Sequence, residues 1–148
     1  MADRPTSVSV VVPVYNEVDN LRSLHQALTE ALGGRAYSLV FVDDGSSDGS
    51  LSVLSEMAAE DSGHVRLVEL RRNFGQTAAI AAGIDHSDGE IIVLIDADMQ
   101  NDPADIPTML EKIEHGYDVV SGWRVERRDR LLTRKIPSRA ANWLISRV

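Results

Sequence analysis

In Val93–Pro103, VLIDADMQNDP, an apolar run ends in Asp96 and Asp98, two carboxylates one residue apart. Met99, Gln100, Asn101, Asp102 and Pro103 follow. Carboxylates at a strand end suit hard divalent cations that prefer oxygen ligands. Such a cation could hold a diphosphate. A carboxylate can also accept hydrogen bonds from a ribose or from an imide nitrogen. Helix capping explains one aspartate of the pair but not two, and Asp102 before Pro103 is the better cap. A second acidic pair, Asp43–Asp44, opens DDGSSDG. That stretch is rich in turn formers, so turn and cap duties compete there with a binding role.

These residues need elements to position them. Ser7–Tyr15 is a near-continuous β-branched run, the pattern of a strand buried on both faces. Strands are also expected at Tyr37–Asp44, Val65–Leu70, Ile91–Ile95 and, shorter, at Tyr117–Trp123. Leu21, Leu24, Leu28 and Leu32 recur at helical spacing, with Gly33 as the stop. Leu51, Leu54 and Ala58 mark a second helix. Gln76–Ile84, apolar nearly all round, reads as a buried third helix. Ile106, Met109, Leu110 and Ile113 mark a fourth, starting at Pro103 or, given Pro107, later. Strands alternating with helices predict an α/β fold, a mostly parallel Rossmann-like sheet with helices on both faces in three layers. Ligands of such sheets bind at the carboxyl ends of the strands, where strand order reverses. Pro13, Tyr15, Asn16 and Glu17 follow the first strand, and Arg71–Gly75 the third. Neither G-x-G-x-x-G after the first strand nor G-x-x-x-x-G-K-[ST] is present.

The 148 residues fit one domain of ordinary size, 43% hydrophobic and 26% charged. There is no cysteine, which removes disulfides and thiolate chemistry. The first residues, MADRPTS, lack a signal-peptide core, and no apolar run nears the roughly 18 residues a bilayer span needs. The net charge of −8 is uneven. From Arg124 to Val148 eight basic side chains stand against two acidic ones, and the remaining 123 residues hold seven basic against 21 acidic. With apolar residues interspersed, that tail is expected to meet phosphates or a membrane surface. A solvated helix face is the plainer alternative. A last amphipathic helix is expected after Pro137, carrying Trp143, Leu144 and Val148.

VVPVYNE, VFVDDGSSDGS, RRNFGQTAAIAAGID, IDADMQNDP and SGWR occur in this order. The ordered set resembles the family 2 glycosyltransferases of the GT-A fold, from about Ser9 to the end of the chain. It is most similar to dolichol-phosphate mannosyltransferases and bacterial undecaprenyl-phosphate glycosyltransferases. The resemblance implies that Pro13, Tyr15 and Glu17 line a nucleoside pocket, with Asp44 reading the base and Val42 beside it. It implies Asp96 and Ala97 near the ribose and diphosphate, and Mg²⁺ or Mn²⁺ held by Asp98 and Gln100 with help from Asp96. Alternation along an extended chain would turn Asp96, Asp98 and Gln100 the same way. Arg124 would meet the donor or acceptor phosphate, and Arg134, Lys135, Ser138 and Arg139 the lipid phosphate. RNFGQTAA is more like the bacterial enzymes, which weakly favours a UDP-sugar over GDP-mannose.

The expected activity is inverting transfer of a sugar from a UDP- or GDP-sugar to a polyprenyl phosphate at a membrane surface, with Asp96, Asp98 and Arg124 in catalysis. A sugar hydroxyl acceptor needs a base, whereas a lipid phosphate is already ionised. No acidic residue follows Asp129, which fits a phosphate acceptor or places the base in further sequence. The expected division is a nucleotide-sugar-binding core over 1–123 and an acceptor loop and helix over 124–148, continuing into further segments. The expected site of action is the cytoplasmic face of a membrane, with no nucleic-acid partner and with homo-oligomers allowed. Transfer to a growing glycan and a binding-only fragment stay as alternatives. A phospho-receiver fold is disfavoured, because the third strand ends in Leu70–Arg71–Arg72 rather than in an aspartate.

Overall fold

The computed structural model describes residues 6–122. The chain divides into two units, the first ending at Tyr117 and the second beginning at Asp118. In the first, β1 (Val8–Val14), α1 (Leu21–Leu32), β2 (Tyr37–Asp43), α2 (Ser50–Glu60), β3 (Val65–Glu69), α3 (Gln76–Asp85) and β4 (Ile91–Leu94) alternate. A 3₁₀ turn over Pro103–Asp105 then leads into α4 (Ile106–Glu114). The four strands are parallel, in the order β3-β2-β1-β4. Val8 of β1 pairs with Tyr37 on one side and with Ile91 on the other.

Parallel strands joined by crossover helices are covered on both faces, which is why β1 tolerates an almost unbroken valine run. Val10, Val12 and Val14 face one core with Leu39, Phe41 and the stripe of α1, and that core also takes in Leu54, Met57, Ile106 and Leu110. Val11, Val40 and Val42 face the other, against Ala79 of α3. Leu21, Leu24, Leu28 and Leu32 are all fully buried, as their spacing requires. Asp102 caps the 3₁₀ turn by accepting from Ala104 N at 2.9 Å, and Pro103 sits at its first position. α4 proper starts three residues later, with Pro107 in its first turn, so both prolines take helix-start positions.

Three expectations are corrected. α3 is not buried all round: only Ala79 and Gly83 are buried, and Ile84 is 43% exposed. Its small residues serve close approach instead, because a Cβ on Gly83 would collide with Val11 Cγ1. Among the described residues β4 is covered on one face only. Ile91 and Val93 pack on the core, while Ile92 and Leu94 stand exposed on the other side. The fifth strand is not formed within 117–122, which make no ladder pairing. The C-terminal amphipathic helix lies outside the described residues. Among the described residues no helix is long and apolar enough to cross a membrane.

Candidate nucleotide-binding cleft

Strand order reverses between β1 and β4: β2 leaves β1 on one side and β4 joins it on the other. Chain segments leaving the carboxyl ends of β1 and β4 diverge there, which opens a crevice by construction. A cleft of about 340 Å³ occupies that place. Its lining combines apolar surface from Pro13, Val14, Ala79 and Ala97 with polar groups from Tyr15, Glu17, Asp44, Asn73, Gln76, Asp96 and Asp98. An apolar floor with a few convergent polar groups is the usual make-up of a small-molecule site.

The β1 end is held by side chains from the turn after β2. Asn16 takes a left-handed conformation, φ 55°, and its amide donates to Ser46 Oγ at 3.0 Å. Asn16 Oδ1 accepts from Ser47 N at 2.8 Å, and the Glu17 amide donates to Ser50 Oγ at 3.0 Å. Asp48 accepts from Val18 N at 3.1 Å and from Ser50 N and Oγ at 2.9 and 2.6 Å. The Ser50 hydroxyl, foremost among these donors, holds the Asp48 carboxyl below its ordinary pKa. Tyr15, 50% exposed, and Glu17 are thereby presented from a braced loop.

Asp43 and Asp44 divide their work. Asp43 is buried and accepts from Ser46 N through Oδ2 at 3.1 Å, a turn-forming bond. Its Oδ1 is buried with no partner among the described residues. Asp44, also buried, accepts from Phe74 N at 2.8 Å and from Gly75 N at 2.9 Å, one amide on each oxygen. It therefore anchors the β3–α3 loop while lining the cleft. Gly45, at φ +71°, lets that loop pass: a Cβ there would stand 2.6 Å from Arg72 C and Asn73 N.

At the β4 end the strand stops at Leu94 and the chain turns at Ala97–Asp98, with Met99 left-handed at φ 59°. The pleat that would align Asp96, Asp98 and Gln100 is absent, so strand parity is not what relates them. A turn brings Asp96 and Asp98 into one cleft instead. Asp98 Oδ1 accepts from Gln100 N at 3.1 Å, a local bond that closes the turn. Asp96 Oδ1 accepts from Gln76 Nε2 at 2.8 Å.

Of the expected site residues, Pro13, Tyr15, Glu17, Asp44, Asp96, Ala97 and Asp98 line the cleft together. Val42 does not: it is fully buried in the core beneath α3. Gln100 is exposed and is not part of the lining. Arg124, Arg134, Lys135, Ser138 and Arg139 lie outside the described residues. Asn73, Gly75, Gln76 and Ala79 line the cleft without having been assigned a role from the sequence. Asn73 and Gly75 follow the third strand, so their place in the chain was a usable signal. Gln76 opens a helix and carries no such mark.

Among the described residues no three acidic or histidine side chains come together as a closed metal cage. Mg²⁺ and Mn²⁺ at phosphate sites do not need one, since one or two carboxylates plus phosphate oxygens suffice. Asp96 and Asp98, both in the cleft lining, could serve as an open donor pair of that kind.

Comparison with known proteins agrees with the architecture. The family model described as glycosyl transferase family 2 matches residues 9–147. An undecaprenyl-phosphate 4-deoxy-4-formamido-L-arabinose transferase of Klebsiella pneumoniae is 46% identical over 142 residues, covering 95% of this chain and 43% of that protein. A dodecaprenyl-phosphate galacturonate synthase of Rhizobium johnstonii is 43% identical over 144 residues, again covering 95% and 43%. The chain thus spans less than half the length of these curated relatives. A mannosyltransferase from Pyrobaculum calidifontis, solved with GDP-Man and Mn²⁺, superposes with a TM-score of 0.57 at 28% identity. That match covers 66% of this chain and 28% of the solved one. With its parallel sheet, its cleft at the strand-order reversal and a family match over nearly its whole length, this chain belongs to glycosyl transferase family 2.

Proposed function

We propose that the cleft binds the nucleoside diphosphate of a sugar donor, and that the protein transfers the sugar to a polyprenyl phosphate at a membrane surface. The observation that carries this reading is the meeting of Asp96 and Asp98 with Pro13, Tyr15, Glu17 and Asp44 in one cleft. The relatives' acceptors and the solved neighbour's GDP-Man and Mn²⁺ support it.

In this reading Pro13, Val14 and Ala79 give a flat apolar bed for the base. Asp44 holds Asn73–Gly75 in place, and the remaining lone pairs of its carboxylate face the nucleoside. Asp96 and Asp98 would hold a Mg²⁺ or Mn²⁺ ion, and such an ion would supply Lewis-acid stabilisation of the leaving diphosphate. Gln76 fixes the rotamer of Asp96 through Oδ1 and leaves Oδ2 for the ligand. Gln100 is retained as a ligand only through rearrangement of its turn. Arg124, Arg134, Lys135, Ser138 and Arg139 carry the acceptor phosphate, which needs no general base because it is already ionised. The core over 1–123 and the segment from 124 onward would divide donor from acceptor binding. The site of action would be the cytoplasmic face of a membrane.

The test is transfer from UDP- and GDP-sugars to polyprenyl phosphate by the full-length protein with Mn²⁺. Sugar on the lipid, lost in Asp98→Ala, is expected. Transfer only to an oligosaccharide would move the assignment to a glycan acceptor.

A further inference from the structure

The loop between β3 and α3 is where the described surface departs from its prevailing charge. Residues 6–122 hold twenty acidic and six basic side chains. Arg22 pairs with Glu56 and Glu60, Arg35 with Glu114, and Arg66 with Asp88. Arg71, Arg72 and Lys112 make no ion pair among the described residues. Lys112 stands by itself on α4, whereas Arg71 and Arg72 are adjacent and exposed. Arg72 lies over the Phe74 ring, its Cζ 4.8 Å from the centroid, and Phe74 is 51% exposed.

This loop is built rather than loose. Asp44 holds the amides of Phe74 and Gly75, Leu70 N donates to Asp43 O at 2.9 Å, and Gly45 admits the Arg72–Asn73 backbone at contact distance. Two guanidinium groups and an aromatic ring are thus carried on a fixed turn. Their neighbours Asn73 and Gly75 line the cleft, but Arg71, Arg72 and Phe74 do not.

We propose that Arg71, Arg72 and Phe74 form a docking surface for anionic lipid headgroups beside the cleft. Guanidinium groups bind phosphate oxygens by paired, charge-assisted hydrogen bonds. An aromatic ring with a cation beside it suits the headgroup boundary, where one part is wet and the other apolar. A soluble anion would make no use of the exposed ring, which is why a membrane is favoured over the donor's phosphates. The acidic remainder of the described surface is repelled by an anionic leaflet, so the loop also sets the orientation of this part of the chain. Docking here brings the cleft edge to the lipid surface. The proposal rests on the function above for the presence of a lipid acceptor, and not on the donor chemistry.

The test is flotation of the full chain with phosphatidylcholine vesicles, with and without phosphatidylglycerol. It is run on the native sequence and on a background in which Arg134, Lys135 and Arg139 are neutralised. The anionic vesicles are expected to carry the protein. Arg71→Ser with Arg72→Ser is expected to lower partition in both backgrounds by roughly twenty-five-fold, from about fivefold per arginine. Retained binding of nucleoside diphosphate shows that the variant is folded. The chain has no cysteine, so Phe74→Cys takes a single environment-sensitive fluorophore whose emission should shift to the blue on anionic vesicles. Unchanged partition of the double variant, or an unshifted fluorophore, would overturn the proposal. So would lost nucleotide affinity with unchanged partition, which assigns the arginines to the donor. Loop-dependent vesicle binding by a chain that binds no nucleotide would sink the donor reading and support this one.

Discussion

Gln76 Nε2 donates a 2.8 Å hydrogen bond to Asp96 Oδ1, joining the first residue of α3 to the end of β4. Both side chains line the cleft, so the bond sets which oxygen of Asp96 remains for a ligand. A hydrogen bond to a partly exposed carboxylate contributes about 0.5–1.5 kcal/mol. Gln76→Ala is therefore expected to weaken Mn²⁺-dependent nucleoside diphosphate binding roughly threefold to tenfold. The melting temperature should barely move. Gln76→Glu sets a like charge against Asp96 and should do worse at neutral pH. Calorimetric titration checks both, and equal affinities in all three proteins would remove Gln76 from the site.

Asp44 accepts one backbone amide on each carboxylate oxygen, so the isosteric Asp44→Asn turns one acceptor into a donor facing an N–H. Leaving that amide unsatisfied costs about 1–3 kcal/mol. The loss should appear as faster hydrogen exchange at Phe74 and Gly75, with nucleotide affinity falling alongside. Unchanged protection there would show that the loop is held by something else.

Gly45 and Gly34 both have positive φ, +71° and +86°, yet only Gly45 has backbone where a Cβ would go. Gly34→Ala meets nothing within 4 Å and bears only the conformational cost of about 1 kcal/mol. Gly45→Ala adds a collision with Arg72 and Asn73 and should destabilise by more, about 2–4 kcal/mol. Urea denaturation of the two variants compares them directly. Equal losses would mean the β3–α3 loop yields freely.

Asp48 braces the β1 and β2 ends, and its pKa is lowered chiefly by the Ser50 hydroxyl. A carboxylate depressed in the folded state contributes stability above its unfolded pKa and loses it as pH falls through the folded value. Asp48→Asn should therefore be less stable than the native chain at neutral pH. The gap should close below the ordinary aspartate range. Melting temperatures across an acid titration would show the two curves converging; parallel curves would contradict the assignment.

Much of the fold was legible because β-branched runs and leucine spacing obey geometry that holds in any sequence. Val8–Val14 had to be covered on both faces, and the four leucines of α1 had to share one side. β4 was harder to read, because Ile92 and Leu94 are as apolar as their partly buried neighbours Ile91 and Val93, and exposure depends on what lies beyond the strand. α3 misled through its alanines, which signal close approach as readily as burial. In the site, Asp96 and Asp98 do share one cleft, but a turn, not the pleat that their spacing suggests, brings them there. Val42 was placed beside the base by resemblance alone, and strand alternation sends it under α3. Gln76 acts through a partner twenty positions away, and pairings of that reach leave no local pattern.

The central claim is that this cleft is a metal-assisted nucleoside diphosphate site centred on Asp96 and Asp98. Its most direct test is calorimetric titration of the full chain with UDP and GDP, with Mn²⁺ and with chelator, for the native protein and Asp98→Ala. Saturable binding of one nucleotide that requires Mn²⁺ and disappears in Asp98→Ala is the expected result. No binding of either nucleotide by the folded native chain, or metal-independent binding unaffected by Asp98→Ala, would contradict it.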